Sequence, residues 1–145
     1  FYGLGIKGAN ALPDLPVNVN DALEASVRAW VVVNEQIALG RGPEFQIGHG
    51  VLMSDVKLQT MGLDEALSTL CVGWAKVRAH VEEVFFGDTR GIAAALNALD
   101  GPAFNPFKLT ETTFADDLRF RLEGPTNFTE NNIYAALRAF ANPRG

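Results

Sequence analysis

The chain has 145 residues, 48% of them hydrophobic and 20% charged, the composition of one ordinary globular domain able to bury a substantial core. Its formal charge of −5 and pI of about 4.9 argue against broad electrostatic attraction to nucleic acid or anionic lipid. They leave room for a local basic groove, or for DNA binding by another part of a longer protein. No run reaches the ~18–20 apolar residues of a membrane span, no signal peptide is visible, and the single Cys71 excludes an internal disulfide.

Residues 1–20 read as irregular, punctuated by Gly3, Gly5, Gly8, Pro13 and Pro16. Asn20 or Asp21 is the expected cap of a first helix over about 21–39, in which Leu23, Val27, Trp30, Val31, Asn34 and Ile37 recur at steps of three and four. Its Val31-Val32-Val33 run has low intrinsic helix propensity, so packing must hold it. Gly40, Gly42 and Pro43 end it. Residues 45–53 read as a short strand or extended loop. Asp64 and Glu65 then suit the positive end of a long second helix, whose stripe is Leu63, Leu67, Leu70, Cys71, Trp74, Val77, Val81, Val84 and Phe85. Cys71 in that stripe is expected to be a buried, inert thiol. Gly87 stops the helix, and Asp88 caps a short third one running to Leu99. Gly101-Pro102 and Asn105-Pro106 form a loop. Leu118, Phe120 and Leu122 alternate with Arg119 and Arg121 as in a half-buried strand over 117–122. After the Gly124-Pro125 turn, a last helix starting near Thr129-Glu130 carries Ile133, Tyr134, Leu137 and Phe140. The expected fold class is therefore mostly α, a small helical bundle with one or two short β strands.

Chemical motifs are sparse. Gly3-Leu4-Gly5-Ile6-Lys7-Gly8 fits G-x-G-x-x-G, but a dinucleotide loop needs a strand before it and a helix after it, and neither is readable here. No G-x-x-x-x-G-K-[ST] stretch occurs. His49 and His80, 31 positions apart, are the only histidines, and no tight metal-ligand spacing exists. Adjacent Glu82 and Glu83 point about 100° apart on a helix, which suits a solvated face rather than a facing carboxylate pair. Asp116-Asp117 reads as a loop or the start of a strand, and Asn127-Phe128-Thr129 as a bare glycosylation sequon. His49, between Gly48 and Gly50, reads either as a structural ring or as a polar sensor at a nucleotide or subunit interface. Arg41 reads either as a solvated charge or as a phosphate-facing cation.

The first helix, with Asn34 near its end, is followed by Phe45-Gln46-Ile47-Gly48-His49-Gly50-Val51-Leu52-Met53. Downstream stand Trp74 and then Val81-Glu82-Glu83-Val84-Phe85-Phe86-Gly87-Asp88, with Ile92 and Leu96 in the short helix beyond. Together these residues resemble the lid region of the McrB-like branch of AAA+ proteins, the nucleotide-driven motor subunits of modification-dependent restriction systems. The resemblance covers about residues 20–99. It departs at Gly50-Val51, where that family usually carries Ser and an aromatic. Phe1-Tyr2-Gly3-Leu4 looks like the segment just after the paired arginines that end the core domain, and a chain opening on Phe1 rather than Met is expected of a piece of a larger protein.

The resemblance implies a division into a lead-in from a missing core domain over residues 1–20, a helical AAA+ lid-like bundle over 21–99, and a loop, possible strand and C-terminal helix over 100–145. It implies a lid that senses nucleotide in a cytoplasmic GTPase or ATPase. His49 is then the first candidate for a nucleotide-sensing or lid-ordering residue and Arg41 the second. No catalytic or metal-binding residue and no cofactor is expected in the chain itself, since GTP or ATP with Mg²⁺ would be held by the parent's core domain. The implied partners are that core, neighbouring subunits of a ring expected to be hexameric, a nuclease subunit, and DNA through other domains. A stand-alone helical interaction module, with no catalysis, is the alternative reading; a small hydrolase using His49 is a third.

Overall fold

The computed structural model describes residues 12–48, 62–99, 102–125 and 127–142. The first helix, α1 (Val19–Gly40), is capped by Asn18, not by Asn20 or Asp21. The Asn18 side chain accepts from the Asp21 N–H at 3.1 Å, and the Asp21 carboxylate accepts from the Val17 N–H at 2.8 Å. Each side chain thus satisfies a backbone donor the helix start leaves free. A 3₁₀ turn (Pro43–Phe45) follows Gly42, whose φ of 122° is closed to most side chains; it takes in Phe45, Gln46 leaves it extended, and residues 49–53 lie outside the described residues.

The second helix, α2 (Leu63–Val84), starts from Gly62 and carries Asp64 and Glu65 in its first turn. Asp88 caps α3 (Thr89–Ala95) by accepting from the Gly91 N–H at 2.9 Å. This helix ends four residues before Leu99. Asn97 turns left-handed at φ 57°, the Ala98 N–H bonds the Ala93 carbonyl and the Asn97 N–H bonds that of Ala94. That is a Schellman stop with asparagine where glycine is usual.

Strands β1 (Lys108–Phe114) and β2 (Asp117–Glu123) form an antiparallel hairpin. The final helix, α4 (Ile133–Ala141), begins later than Thr129, because the Asn132 side chain ties back to the Thr129 N–H at 2.7 Å and holds a turn there. Among the described residues the fold is mostly α with one short two-stranded sheet, as expected.

Helix α1 lies at the centre, packed against α2, α3, α4 and the 3₁₀ turn. One apolar cluster runs from Leu23, Val33 and Ile37 through Leu70, Trp74 and Val81 to Ile133, Leu137 and Phe140. Val33, not Val31, belongs to it; Val31 is half-buried. Ring stacking ties the C-terminal third to the bundle. Phe107 lies 6.0 Å from Phe140 and 6.0 Å edge-on to Phe128, while Trp74 lies 5.7 Å from Phe140. Gly124 is required beside this cluster, since a Cβ there would sit 2.2 Å from the Phe107 ring.

A buried asparagine pair stitches the same region. Asn97 Nδ2 donates to the Ala139 and Asn142 carbonyls, and Asn105 Nδ2 donates to those of Leu96 and Asn97. Asn105 Oδ1 accepts from the Phe107 N–H at 2.8 Å. Helix ends that would otherwise bury bare carbonyls are thereby satisfied.

Residues 12–18 run irregularly over α4. The Tyr134 hydroxyl donates to the Pro13 carbonyl at 2.8 Å and Arg138 pairs with Asp14 at 3.1 Å. Burial, with Asp21 nearby adding to it, pushes the Tyr134 hydroxyl from 10.0 up to about 12. The folded state therefore holds this proton more tightly than the unfolded chain. The group's contribution is fully present below pH ~10 and is lost as pH rises through about 12. We expect the urea midpoint to fall across that window, and to fall less in Tyr134→Phe.

The hairpin turn is tight and strained. Phe114 pairs with Asp117, leaving Ala115 and Asp116 as a two-residue loop with φ of 51° and 68°. Both signs fit a type I′ turn, for which Asn-Gly is the preferred pair. Replacing Ala115 with Asn and Asp116 with Gly should stabilise the chain by about 1 kcal/mol, because a left-handed alanine costs roughly that much. A higher midpoint in chemical denaturation checks it.

Candidate functional site

The segment that leads to His49 is held by a polar strap on α1. Asn34, buried at 7% exposure, bonds Ile47 through both of its backbone groups. Its Oδ1 accepts from the Ile47 N–H at 2.7 Å and its Nδ2 donates to the Ile47 carbonyl at 2.9 Å. The side chain amide thus stands in for a neighbouring strand. Trp30 Nε1 donates to the same carbonyl at 2.9 Å, and Gln46 Nε2 donates back to the Asn34 carbonyl at 3.1 Å. With every polar group near it matched, Ile47 can bury its side chain in the core at 4% exposure. Gly48 then emerges exposed. His49 itself lies outside the described residues, as do Gly50-Val51-Leu52-Met53 and the Gly3–Gly8 run.

His80, on α2, supports the strap from the other side. Its Nε2 lies 2.6 Å from the Phe45 carbonyl. A solitary helix histidine gives no sequence signal for this contact, because the partner is a backbone atom 35 residues away.

Arg41 is engaged with the chain. It pairs with Asp88 at 3.3 Å, donates through Nε to the Val84 carbonyl at 3.2 Å, and stacks 4.8 Å over the Phe85 ring. It therefore satisfies a carbonyl that the end of α2 leaves open, and it links the ends of α1 and α2 to the cap of α3. Exposed pairs of this kind contribute little to stability. The side chain remains about a third exposed, with 37% of its surface in solvent.

Comparison with family models, with curated proteins and with solved structures finds no match.

Other chemical features are modest. Cys71 is half-buried rather than buried, beside Ser68, Phe128 and Glu130 in a shallow opening of about 400 Å³. Desolvation and the Glu130 carboxylate both raise its pKa, which keeps the thiol protonated and slow as a nucleophile. Glu82 and Glu83 are both exposed, and Glu82 pairs with Arg78 at 2.7 Å. Among the described residues no cluster of His, Cys, Asp or Glu could hold a metal ion, and no helix is long and apolar enough to cross a membrane. The arrangement can position a short loop; among the described residues it brings no nucleophile and base together.

Proposed function

We propose that this chain is the lid of an McrB-like AAA+ GTPase or ATPase, a cytoplasmic motor subunit serving DNA restriction. The observation that carries the reading is the Asn34 strap on Ile47. Four of the residues on which the resemblance rests, Ile47, Trp74, Phe85 and Leu96, share one core cluster, Asn34 is buried with them, and the strap fixes Ile47 just before Gly48. A lid acts by presenting a polar group from a rigid helical body to nucleotide held elsewhere. The phosphates and Mg²⁺ would be held by a preceding core domain, and neighbouring ring subunits and a nuclease would complete the machine. His49 would sense nucleotide or order the lid, with Arg41 acting behind it by tying the helix ends together.

Replacing His49 with Ala in the parent protein tests this. Hydrolysis or nucleotide-dependent assembly should fall by about tenfold or more, on the scale of losing one charge-stabilising contact. Unchanged nucleotide affinity, hydrolysis and assembly would remove the assignment.

A second reading, an interaction module without catalysis, is favoured by the exposed Phe86, at 88% exposure, beside the free edge of the hairpin. A phosphate-loop motif in the coding sequence upstream of Phe1 separates the two, since only the motor requires one.

A further inference from the structure

The hairpin leaves one strand edge facing a groove. In a two-residue hairpin the closing pair, Phe114 and Asp117, exchanges its backbone hydrogen bonds, and bonded pairs then alternate along the ladder. Thr112–Arg119 and Thr110–Arg121 are therefore bonded pairs, and the Thr110 hydroxyl reaching the Arg121 carbonyl at 3.3 Å agrees with that direction. Leu118, Phe120 and Leu122 consequently turn their N–H and C=O groups away from β1. Among the described residues no other strand pairs with β2 on that side.

The groove there is open, about 410 Å³, and lies between β2, the end of α2 and the start of α3. Three consecutive β2 residues, Phe120, Arg121 and Leu122, line it. Successive side chains point to opposite faces, so only the strand's edge can present all three. Across from them stand Ile92 and the almost fully exposed Phe86.

The charge of this edge selects its occupant. Arg119 and Arg121 share one face of β2, opposite Thr112 and Thr110 of β1. Arg121 has no ion-pair partner among the described residues, and Arg119 has only a loose 3.8 Å contact with Asp117. Glu82, the acidic residue in the groove, is taken by Arg78. Asp117 and Glu123 stand at the two ends of the same face, so the basic part of this edge is its centre, the Arg119 and Arg121 pair. Pairing β2 with β2 of a second copy about Phe120 would set arginine opposite arginine, which is unfavourable. A nucleic acid would gain from the arginines but could not use the row of backbone donors and acceptors, and the overall charge opposes it.

We propose that the free edge of β2 is a docking site for an extended peptide segment of a partner protein, one that alternates acidic with apolar residues. The segment adds a third strand. Its acidic side chains lie opposite Arg119 and Arg121, and its apolar ones fill the groove between Phe86, Ile92 and Phe120. The surface is independent of the lid reading: it stands if His49 proves inert, and it falls without affecting His49.

The test uses the 145-residue chain and a fluorescein-labelled peptide of about ten residues, with Glu at two central alternate positions and Val, Phe and Thr elsewhere, followed by anisotropy. Binding should weaken at least tenfold when Lys replaces Glu in the peptide, or with the double variant Arg119→Glu, Arg121→Glu. That variant should in turn prefer the Lys peptide, a reversal that simple unfolding would not give. Methylating one alternate set of the peptide's amides should abolish binding while methylating the other set leaves it. Equal effects of the two methylation patterns would overturn strand addition. No binding at millimolar peptide, tighter binding of an oligothymidylate than of the peptide, or dimerisation of the chain through this edge would each overturn the proposal.

Discussion

Replacing Trp74 with Ala should lower the unfolding free energy by about 3–5 kcal/mol, the range for removing a large buried aromatic. Trp74 is 1% exposed on α2, its ring lies 5.7 Å from Phe140 of α4, and its Nε1 donates to the buried Ser26 hydroxyl of α1 at 3.1 Å. It therefore joins α2 to both α1 and α4. Truncation removes apolar contact on two sides, leaves a cavity that three helices cannot all collapse to fill, and strands the Ser26 hydroxyl. Trp74→Phe keeps most of the packing and should cost about 1–2 kcal/mol, mainly the lost hydrogen bond and residual volume. Ser26→Ala should cost about 1 kcal/mol by leaving the indole N–H without its partner. Urea denaturation of the three variants and of the double variant Trp74→Phe, Ser26→Ala separates packing from pairing, because the two single costs share one bond and cannot add. Against a typical domain's ~5–15 kcal/mol, a loss of this size removes a large fraction of the stability and should lower the urea midpoint of Trp74→Ala accordingly.

Asn34→Ala is expected to cost about 2–3 kcal/mol although the residue is small. It removes both bonds to Ile47, and the buried Ile47 N–H is then left with no partner while its carbonyl keeps Trp30 Nε1. An unmade buried hydrogen bond costs more than a made one contributes, about 1–3 kcal/mol for the stranded group. Asn34→Asp is the sharper test. The carboxylate can still accept from the Ile47 N–H, but it sets a second oxygen against the Ile47 carbonyl where a donor stood. Its destabilisation should match or exceed that of Ala and should shrink as pH falls and the carboxyl protonates. Hydrogen exchange at the Ile47 amide gives the local readout: protection should be lost in both variants while amides in the middle of α2 stay protected. If Ile47 remains protected in Asn34→Ala, the strap does not hold the segment, and the structural support for the lid reading goes with it.

The helices were legible because they bury one face each. The three-and-four spacing of Leu23, Val27 and Ile37, and of Leu67, Leu70, Trp74 and Val77, marks the sides that are buried. Their ends were less so. The cap moved to Asn18 because Asp21 serves as its partner rather than as the cap, and α3 stopped at Ala95 because Asn97 can adopt a left-handed backbone that pattern reading reserves for glycine. Strand β1 was not visible at all. Lys-Leu-Thr-Glu-Thr-Thr-Phe buries almost nothing, so no apolar alternation exists to read, and its threonines were the one available hint. The same exposure explains Leu118, expected half-buried in the strand but 57% exposed near the hairpin tip.

At the candidate site the sequence supplied Gly48-His49-Gly50 and the isolated Arg41, but not the contacts that give the region its shape. Asn34 reaches Ile47 across 13 residues, His80 reaches Phe45 across 35, and Arg41 reaches Asp88 across 47. Such bonds join side chains to backbone atoms or to distant elements, and neither leaves a periodic trace. By itself the sequence determined the class of the fold, the helix faces and the sparse catalytic inventory, because hydrophobic spacing and residue chemistry are local properties. Only the tertiary structure decided that Asn34 straps Ile47, that Arg41 ties helix ends together, and that the β2 edge opens onto a basic, aromatic groove. Those depend on which surfaces are brought within hydrogen-bonding distance of one another, and packing alone sets that distance.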